Sequence, residues 1–242
     1  MLQQTGVSRV VNMYPEFLGR FGSFEVLARA SVGEVLQQWQ GMGYNRRVLW
    51  LSQAAKIIAG EFGGELPRDE RLLRALPGIG PNTAGSIAAF AYDIPTVFIE
   101  TNIRRVFIHH FPLLQSGYQG GDDTVRAGQS PEVISDNMLL PLIEATVDRQ
   151  RPREWYYGLM DYGADLAKRV PNPNRRSKHY SVQSTFEGSV RQLQGEVLRQ
   201  VMKGPITVTE LGIKDARLSG VLDALVREGF LICLDKTYSV EE

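Results

Sequence analysis

Cysteine is nearly absent from this chain: Cys233 stands alone among 242 residues. A lone thiol excludes an internal disulfide, a cysteine zinc site and a cysteine-ligated iron-sulfur cluster within the chain. Histidine is almost as scarce, with three residues. His109 and His110 are adjacent and His179 is distant, so no metal-ligand spacing results and no metal site is expected. Neither sign of charge predominates, since Lys+Arg and Asp+Glu number 27 each. A polyanionic partner therefore has to be argued from local distribution. No apolar run approaches the ~20 residues of a spanning helix, and no basic segment followed by an apolar stretch opens the sequence. A cytoplasmic location without membrane attachment is the expectation.

What is present is an ordinary globular composition, 43% hydrophobic and 22% charged, enough for a substantial core and one or two domains. Apolar residues recur at three- and four-residue spacing over Val32 to Trp39, Tyr44 to Ala59, Arg71 to Leu76, Thr83 to Ala91 and Met138 to Val147, which predicts helices. Turn signals fall at "GMGY" (41–44), "FGGELP" (62–67), "YDIP" (92–95), "SGYQGGDD" (116–123) and "RVPNPNRRSKH" (169–179). Residues 1–170 thus read as an all-helical domain and 171–188 as a basic loop or linker.

From residue 189 the pattern changes. Val190, Leu193, Val197, Leu198 and Val201 form one apolar face, and "TVTELG" reads as a short helix after Pro205. Leu218, Val221, Leu222 and Leu225 form another face, and "FLICLDKTYSV" alternates as two strands turning at Asp235 and Lys236. Helix, short helix, helix and hairpin is the order of a winged helix-turn-helix, so 189–242 is expected to be a small winged-helix-like module. Such modules read DNA or dock proteins. On its third helix the cations are Lys214, Arg217 and Arg227, among Asp215, Asp223 and Glu228. The fold class is accordingly mostly α.

One stretch stands apart. "LPGIGPNTAG" (76–85) carries three glycines and two prolines in ten residues, with helical pattern on both sides. Gly78 and Gly80 are expected to let a tight turn adopt positive dihedrals and aim amide groups at one point beside a helix N-terminus, where an anion such as phosphate fits.

"LPGIGPNTAGSI", followed by "FIETNIRRV" (98–106), resembles the helix-hairpin-helix DNA glycosylase superfamily. "MLQQT" (1–5), "WQGMGYNRR" (39–47) and "LMDYGA" (159–164) are similar to its adenine glycosylase branch, which excises adenine opposite guanine or 8-oxoguanine. The resemblance covers Met1 to about Ala164. It implies that double-stranded DNA with a mismatched or damaged base is the partner, that the enzyme acts as a monomer, and that in a bacterium it is nucleoid-associated. It also implies that the hairpin with Gly78, Gly80 and Thr83 holds the DNA backbone, with a monovalent cation possible there. Gln3, Gln4, Thr5 and Tyr44 enter the duplex around the lesion, flanked by phosphate contacts from Arg46 and Arg47. An extruded base is then cleaved with Glu100 as the sugar-side carboxylate and Asn102 holding the site, Glu100 standing where the family has an aspartate. A helix cap before Thr101 and Asn102 is the other reading of that glutamate.

Four departures follow. The family's general acid is a glutamate two positions before the methionine of "MLQQT", here Met1. Either an earlier start supplies it together with further N-terminal helices, or the protein binds DNA without the chemistry. The lyase branch has a Schiff-base lysine in the hairpin where this chain has Asn82, so a monofunctional enzyme is expected. Four cysteines after the "LMDYGA" position are replaced by "DLAKRVPNPNRRSKHY", which offers Lys168, Arg169, Arg175, Arg176 and Lys178 for phosphate contact or for a solvated loop. The family's 8-oxoguanine-reading domain is replaced by the 189–242 module. No role is assigned to His109 or His110, and Asp161 reads as a helix-end carboxylate.

Overall fold

A computed structural model describes residues 1–3, 5–111, 133–182 and 185–240. The expected turns at 116–123 and Gln4 lie outside the described residues. The fold is mostly helical with one small sheet. By contact the chain forms two compact units. One comprises the N-terminal residues to Pro67, the Leu76–Gly78 turn and the C-terminal segment. The other comprises Arg68–Ala75 and the chain from Ile79 to Val182.

In the first unit, α1 (Val7–Arg20), α2 (Phe24–Arg29), α3 (Val32–Trp39) and α4 (Arg46–Glu61) are followed in space by α10 (Val190–Val201), α11 (Val208–Leu211) and α12 (Leu218–Arg227). Ser31 and Glu34 form a capping box that starts α3, and Thr207 and Glu210 form one that starts α11. The apolar stripes predicted after residue 189 do not enclose a core of their own. Leu193, Val197, Leu198 and Val201 of α10 and Val221, Leu222 and Leu225 of α12 join Val35, Leu36, Trp39 and Val48 in one buried cluster. Two helical stripes this short bury too little area alone, and they complete the N-terminal helices instead.

A three-stranded antiparallel sheet closes that unit, in the order β1 (Ile206–Thr207), β3 (Thr237–Val240), β2 (Leu231–Leu234). Leu231 pairs with Val240 and Leu234 with Thr237. The turn between them places Asp235 and Lys236 at φ 49° and 63°, the two left-handed residues that a two-residue hairpin requires. The third helix begins only at Leu218, so Lys214 and Arg217 precede it and Arg227 alone of the three expected cations lies on it. Arg217 is spent on a two-point ion pair with Asp215, at 2.9 and 2.6 Å, and on the Gly188 carbonyl. That guanidinium pulls the Asp215 carboxyl down to about 2.

In the second unit, α5 (Glu70–Ala75), α6 (Pro81–Tyr92), α7 (Thr101–His110), α8 (Asp136–Thr146) and α9 (Pro152–Arg169) surround a core of Phe98, Ile99, Ile103, Phe107, Ile134, Leu139, Ile143 and Tyr156. The small residues of α6, Ala84, Gly85, Ala88 and Ala89, are all buried. They let the 93–100 segment lie flat on the helix: a Cβ on Gly85 would stand 2.8 Å from that of Phe98. The ring of Tyr156 lies 4.1 Å from that of Phe98, and its hydroxyl donates to the Thr96 carbonyl at 2.7 Å. Burial pushes this phenol up to about 12, so it stays a neutral donor.

Candidate active site

In the first unit, two of the sequence motifs converge on one guanidinium. Arg47, in the first turn of α4, donates to the carbonyls of Met1 (2.9 Å) and Gln3 (2.7 Å). It also donates to the Thr5 hydroxyl (3.0 Å) and to the carbonyls of Met42, Gly43 and Tyr44. Its charge lies 5.0 Å from the Trp39 ring and 5.8 Å from that of Tyr44. Burial holds its pKa below the ordinary arginine value, and no carboxylate pairs with it among the described residues.

Arg47 is therefore a clasp joining "MLQQT" to "GMGY", and the expected phosphate contact is not where the structure puts it. Thr5 is likewise inward: it is 9% exposed, and its hydroxyl donates to the Met42 carbonyl at 3.0 Å. Arg46 is paired with Glu228 at the end of α12, which competes with a phosphate. Of the expected duplex-entering group among the described residues, Gln3 is exposed and Tyr44 half-buried.

Tyr44 is not on a helix, as its spacing suggests, but precedes α4 in the left-handed region at φ 49°, after Gly41 and Gly43 at 82° and 69°. Replacing Arg47 with Met removes the side-chain donor to six oxygens, of which the Met42, Gly43 and Tyr44 carbonyls keep another donor, while the Met1 and Gln3 carbonyls and the Thr5 hydroxyl lose the bond that ties them to α4. The expected result is a loss of about 2–4 kcal/mol of stability, read by thermal unfolding. An unchanged melting temperature would show that the clasp holds nothing.

The hairpin consists of α5, the turn 76–80 and α6. Gly78 has φ 74°, and a Cβ there would meet the Trp50 side chain at 2.8 Å. Both the conformation and the space demand glycine. Gly80 differs from expectation: its φ is −83° and ψ 177°, an extended N-cap with open space beside it. The turn needs one positive φ, because Pro81 at the first helical position sets the entry to α6. Gly80 brings no side chain to cap α6, and residues 80–82 are exposed, the arrangement that suits an anion. Thr83 lies half-buried in the first turn. Asn82 turns its Oδ1 to the backbone N–H of Ile99 at 3.2 Å, which ties the start of α6 to the residue before Glu100.

Glu100 is the N-cap of α7. Its Oε1 accepts from the N–H groups of Asn102 (2.6 Å) and Ile103 (3.0 Å), and its other carboxylate oxygen has no hydrogen-bond donor among the described residues. The capping and catalytic readings of this residue are thus compatible, since the cap fixes the carboxylate and leaves one oxygen for a substrate. Asn102 accepts from Arg105 Nη1 at 2.6 Å, and the same nitrogen donates to the Gly163 carbonyl at 2.6 Å. Gly163, the glycine of "LMDYGA", is where α9 meets α7: a Cβ there would stand 2.5 Å from the Asn102 carbonyl oxygen. Asp161 is exposed on α9. His110 meets the Tyr162 hydroxyl at 2.5 Å.

The expected linker is docked over its first half. Pro173–Arg176 forms a 3-10 turn whose Asn174, 4% exposed, donates to the Thr101 carbonyl at 3.0 Å. Ile134 exchanges backbone hydrogen bonds with Arg176 and Lys178. This anchorage presents Arg175 and Lys178 outward, with Arg176 half-buried, and none of the three forms an ion pair among the described residues. Arg169, by contrast, is paired with Asp165 at 2.7 Å. Cys233 is exposed on β2, and a single thiol does not fit the four-thiolate set of an iron-sulfur cluster.

Residues 1–119, which hold the clasp, the hairpin and Glu100, match the family described as "HhH-GPD superfamily base excision DNA repair protein". This segment of the chain belongs to the HhH-GPD superfamily. The chain's relatives include the adenine DNA glycosylase of Mus musculus, 33% identical over 199 residues that cover 81% of this chain and 35% of the mouse protein. The adenine DNA glycosylase of Mycobacterium tuberculosis (strain ATCC 25618 / H37Rv) is 29% identical, with 93% of this chain and 79% of that protein covered. The chain spans about a third of the length of the mammalian relatives it matches. In fold it is similar to a thermostable thymine-DNA glycosylase, with a TM-score of 0.57, 23% identity, and 74% of this chain and 79% of that one covered.

Several residues that organise the HhH-GPD site carry no signal of that role in the sequence. Arg105 is one of two adjacent arginines, and only the other, Arg104, is spent on Asp136, with both bonds at 2.7 Å. Asn174 lies in a run that reads as solvated. Arg191 is one cation on an amphipathic helix, yet it reaches Tyr44.

Proposed function

We propose that the protein is a monofunctional DNA glycosylase that hydrolyses the N-glycosidic bond of adenine mispaired with guanine or 8-oxoguanine. The observation that carries this reading is Glu100, a carboxylate fixed through one oxygen by two backbone donors, with no donor to the other among the described residues. A base in the stack is out of reach of a protein side chain, so the nucleotide has to be extruded, with Gln3 and Tyr44 the described candidates to fill the gap and the uncapped α6 N-terminus a phosphate contact. As the C1′–N9 bond lengthens, positive charge develops on the sugar, and the Glu100 carboxylate stabilises it electrostatically. The bond breaks, the oxygen of water adds to C1′ and gives up a proton, and the departing adenine takes one up, so that one water is divided between sugar and base. Asn102 and Arg105 keep the carboxylate's helix end in place against Gly163. At the hairpin position of the lyase lysine, Asn82 offers no nucleophilic amine, and its amide oxygen is engaged with Ile99.

The test uses three end-labelled duplexes in which adenine stands opposite 8-oxoguanine, guanine or thymine. Release of free adenine from the first two, with strand breakage only after alkali, is the expected result. Breakage without alkali, or a borohydride-trapped adduct, would contradict the monofunctional reading. Tight binding of the mispairs with no adenine released would replace the enzyme by a non-catalytic mismatch binder.

A further inference from the structure

Tyr44 holds a backbone conformation that is rare for an aromatic residue, at φ 49°. Such conformations persist where the surroundings over-determine them, and they cluster at functional sites. Here two guanidinium groups hold the ring that this backbone carries. Arg47 lies 5.8 Å from the ring centroid and Arg191 5.5 Å, and Arg191 Nη1 also donates to the Tyr44 hydroxyl at 2.9 Å. Arg191 is 147 residues away in sequence, near the start of α10. That helix is fixed at its N-terminus by Ser189, whose side chain accepts from the Gln192 N–H. Along its length it is fixed by Leu193, Val197 and Leu198, buried in the same core as Trp39 and Met42. The core that sets the "GMGY" turn thus also sets the arginine that grips the tyrosine.

We infer that Arg191 is a specificity-determining positioning residue: it presets the Tyr44 ring before DNA is met, so that the C-terminal segment takes part in recognising the mispair. This rests on the proposed function, in which Tyr44 enters the duplex at the lesion. An aromatic ring free to change rotamer pays an ordering cost when it is inserted, and a ring already held does not. The cost falls only on complexes in which the ring is inserted. Affinity for fully paired DNA comes from backbone contacts and does not involve it.

The experiment measures equilibrium binding to a duplex with adenine opposite 8-oxoguanine and to the same duplex with adenine opposite thymine, over a series of salt concentrations. The parent is compared with Arg191→Ala, Arg191→Lys, Tyr44→Phe and the Arg191→Ala/Tyr44→Phe double variant. Lysine keeps the charge but lacks the planar fork that serves the hydroxyl and the ring together, and phenylalanine keeps the ring but loses the hydroxyl. Each single variant is expected to weaken mispair binding about tenfold, with paired-duplex affinity and salt slope unchanged. The double variant is expected to be no weaker than Arg191→Ala alone, because both changes break one interaction.

Full mispair preference in Arg191→Ala would overturn the inference. So would equal losses on both duplexes, whether the salt slope falls by about one, as for a phosphate contact, or the melting temperature drops, as for a structural residue. A parent that shows no mispair preference would instead sink the proposed function, and this inference with it.

Discussion

Replacing Gly163 with Ala is expected to destabilise the protein by about 2–3 kcal/mol, while the same change at Gly158, five residues earlier in the same helix, is expected to stabilise it by about 1 kcal/mol. The intrinsic gain is common to both, since alanine fixes less backbone entropy than glycine in a helix. Space decides the sign. Nothing lies within 4 Å of a Cβ at Gly158, whereas at Gly163 the added carbon would meet the Asn102 backbone oxygen at 2.5 Å and its carbonyl carbon and Cβ at 2.8 Å. Backbone cannot swing aside as the end of a long side chain does, so α9 and α7 have to separate. Separation also breaks the Arg105 bond to the Gly163 carbonyl and loosens the turn that Glu100 caps. Thermal unfolding of the two variants reads the difference, with Gly163→Ala about 5–10 °C below the parent for a chain of this size. Adenine release should fall for that variant alone. Equal melting temperatures would mean that the close approach of the two helices does not constrain the site.

Those two glycines look alike in the sequence, and they mark the limit of what it discloses. Local signals were legible. Apolar periodicity locates α3 to the residue, the "LPGIG" turn falls between two helices, and the Asp235–Lys236 turn joins two strands. Glu100 before Thr101 and Asn102 carries both its cap and its proposed chemistry in one short motif. Partnerships between distant segments were not legible. Arg47 sits in a basic pair that reads as phosphate-binding, but its acceptors are mostly backbone carbonyls, and any residue type offers those. Thr5 and Arg46 are likewise spent on Met42 and Glu228. The composition of 171–188 suggests a linker because proline, asparagine and arginine favour solvent. The buried side chain of Asn174 and the backbone bonds of Arg176 and Lys178 to Ile134 anchor its first half, and one asparagine among several leaves no periodic trace. The stripes after residue 189 were read correctly as helices, but an amphipathic pattern does not say which core it completes.

Replacing Glu100 with Gln is expected to lower adenine release by about 10²–10³ while leaving mispair binding intact. The glutamine side-chain oxygen can still accept from the N–H groups of Asn102 and Ile103, so the start of α7 and the hairpin's tie to Ile99 are retained, and the melting temperature should move little. What disappears is the negative charge facing the sugar as it becomes cationic, an interaction that strengthens only toward the transition state and therefore acts on the rate. Of the measurements available, single-turnover release of adenine from a duplex with 8-oxoguanine opposite it, by the parent and by Glu100→Gln, with binding followed in parallel, bears most directly on Glu100 as the sugar-side carboxylate of a DNA glycosylase. The account predicts a variant that binds as well as its parent and releases adenine at least a hundredfold more slowly than it. Parental release rates in Glu100→Gln would reduce that residue to a helix cap and contradict the account.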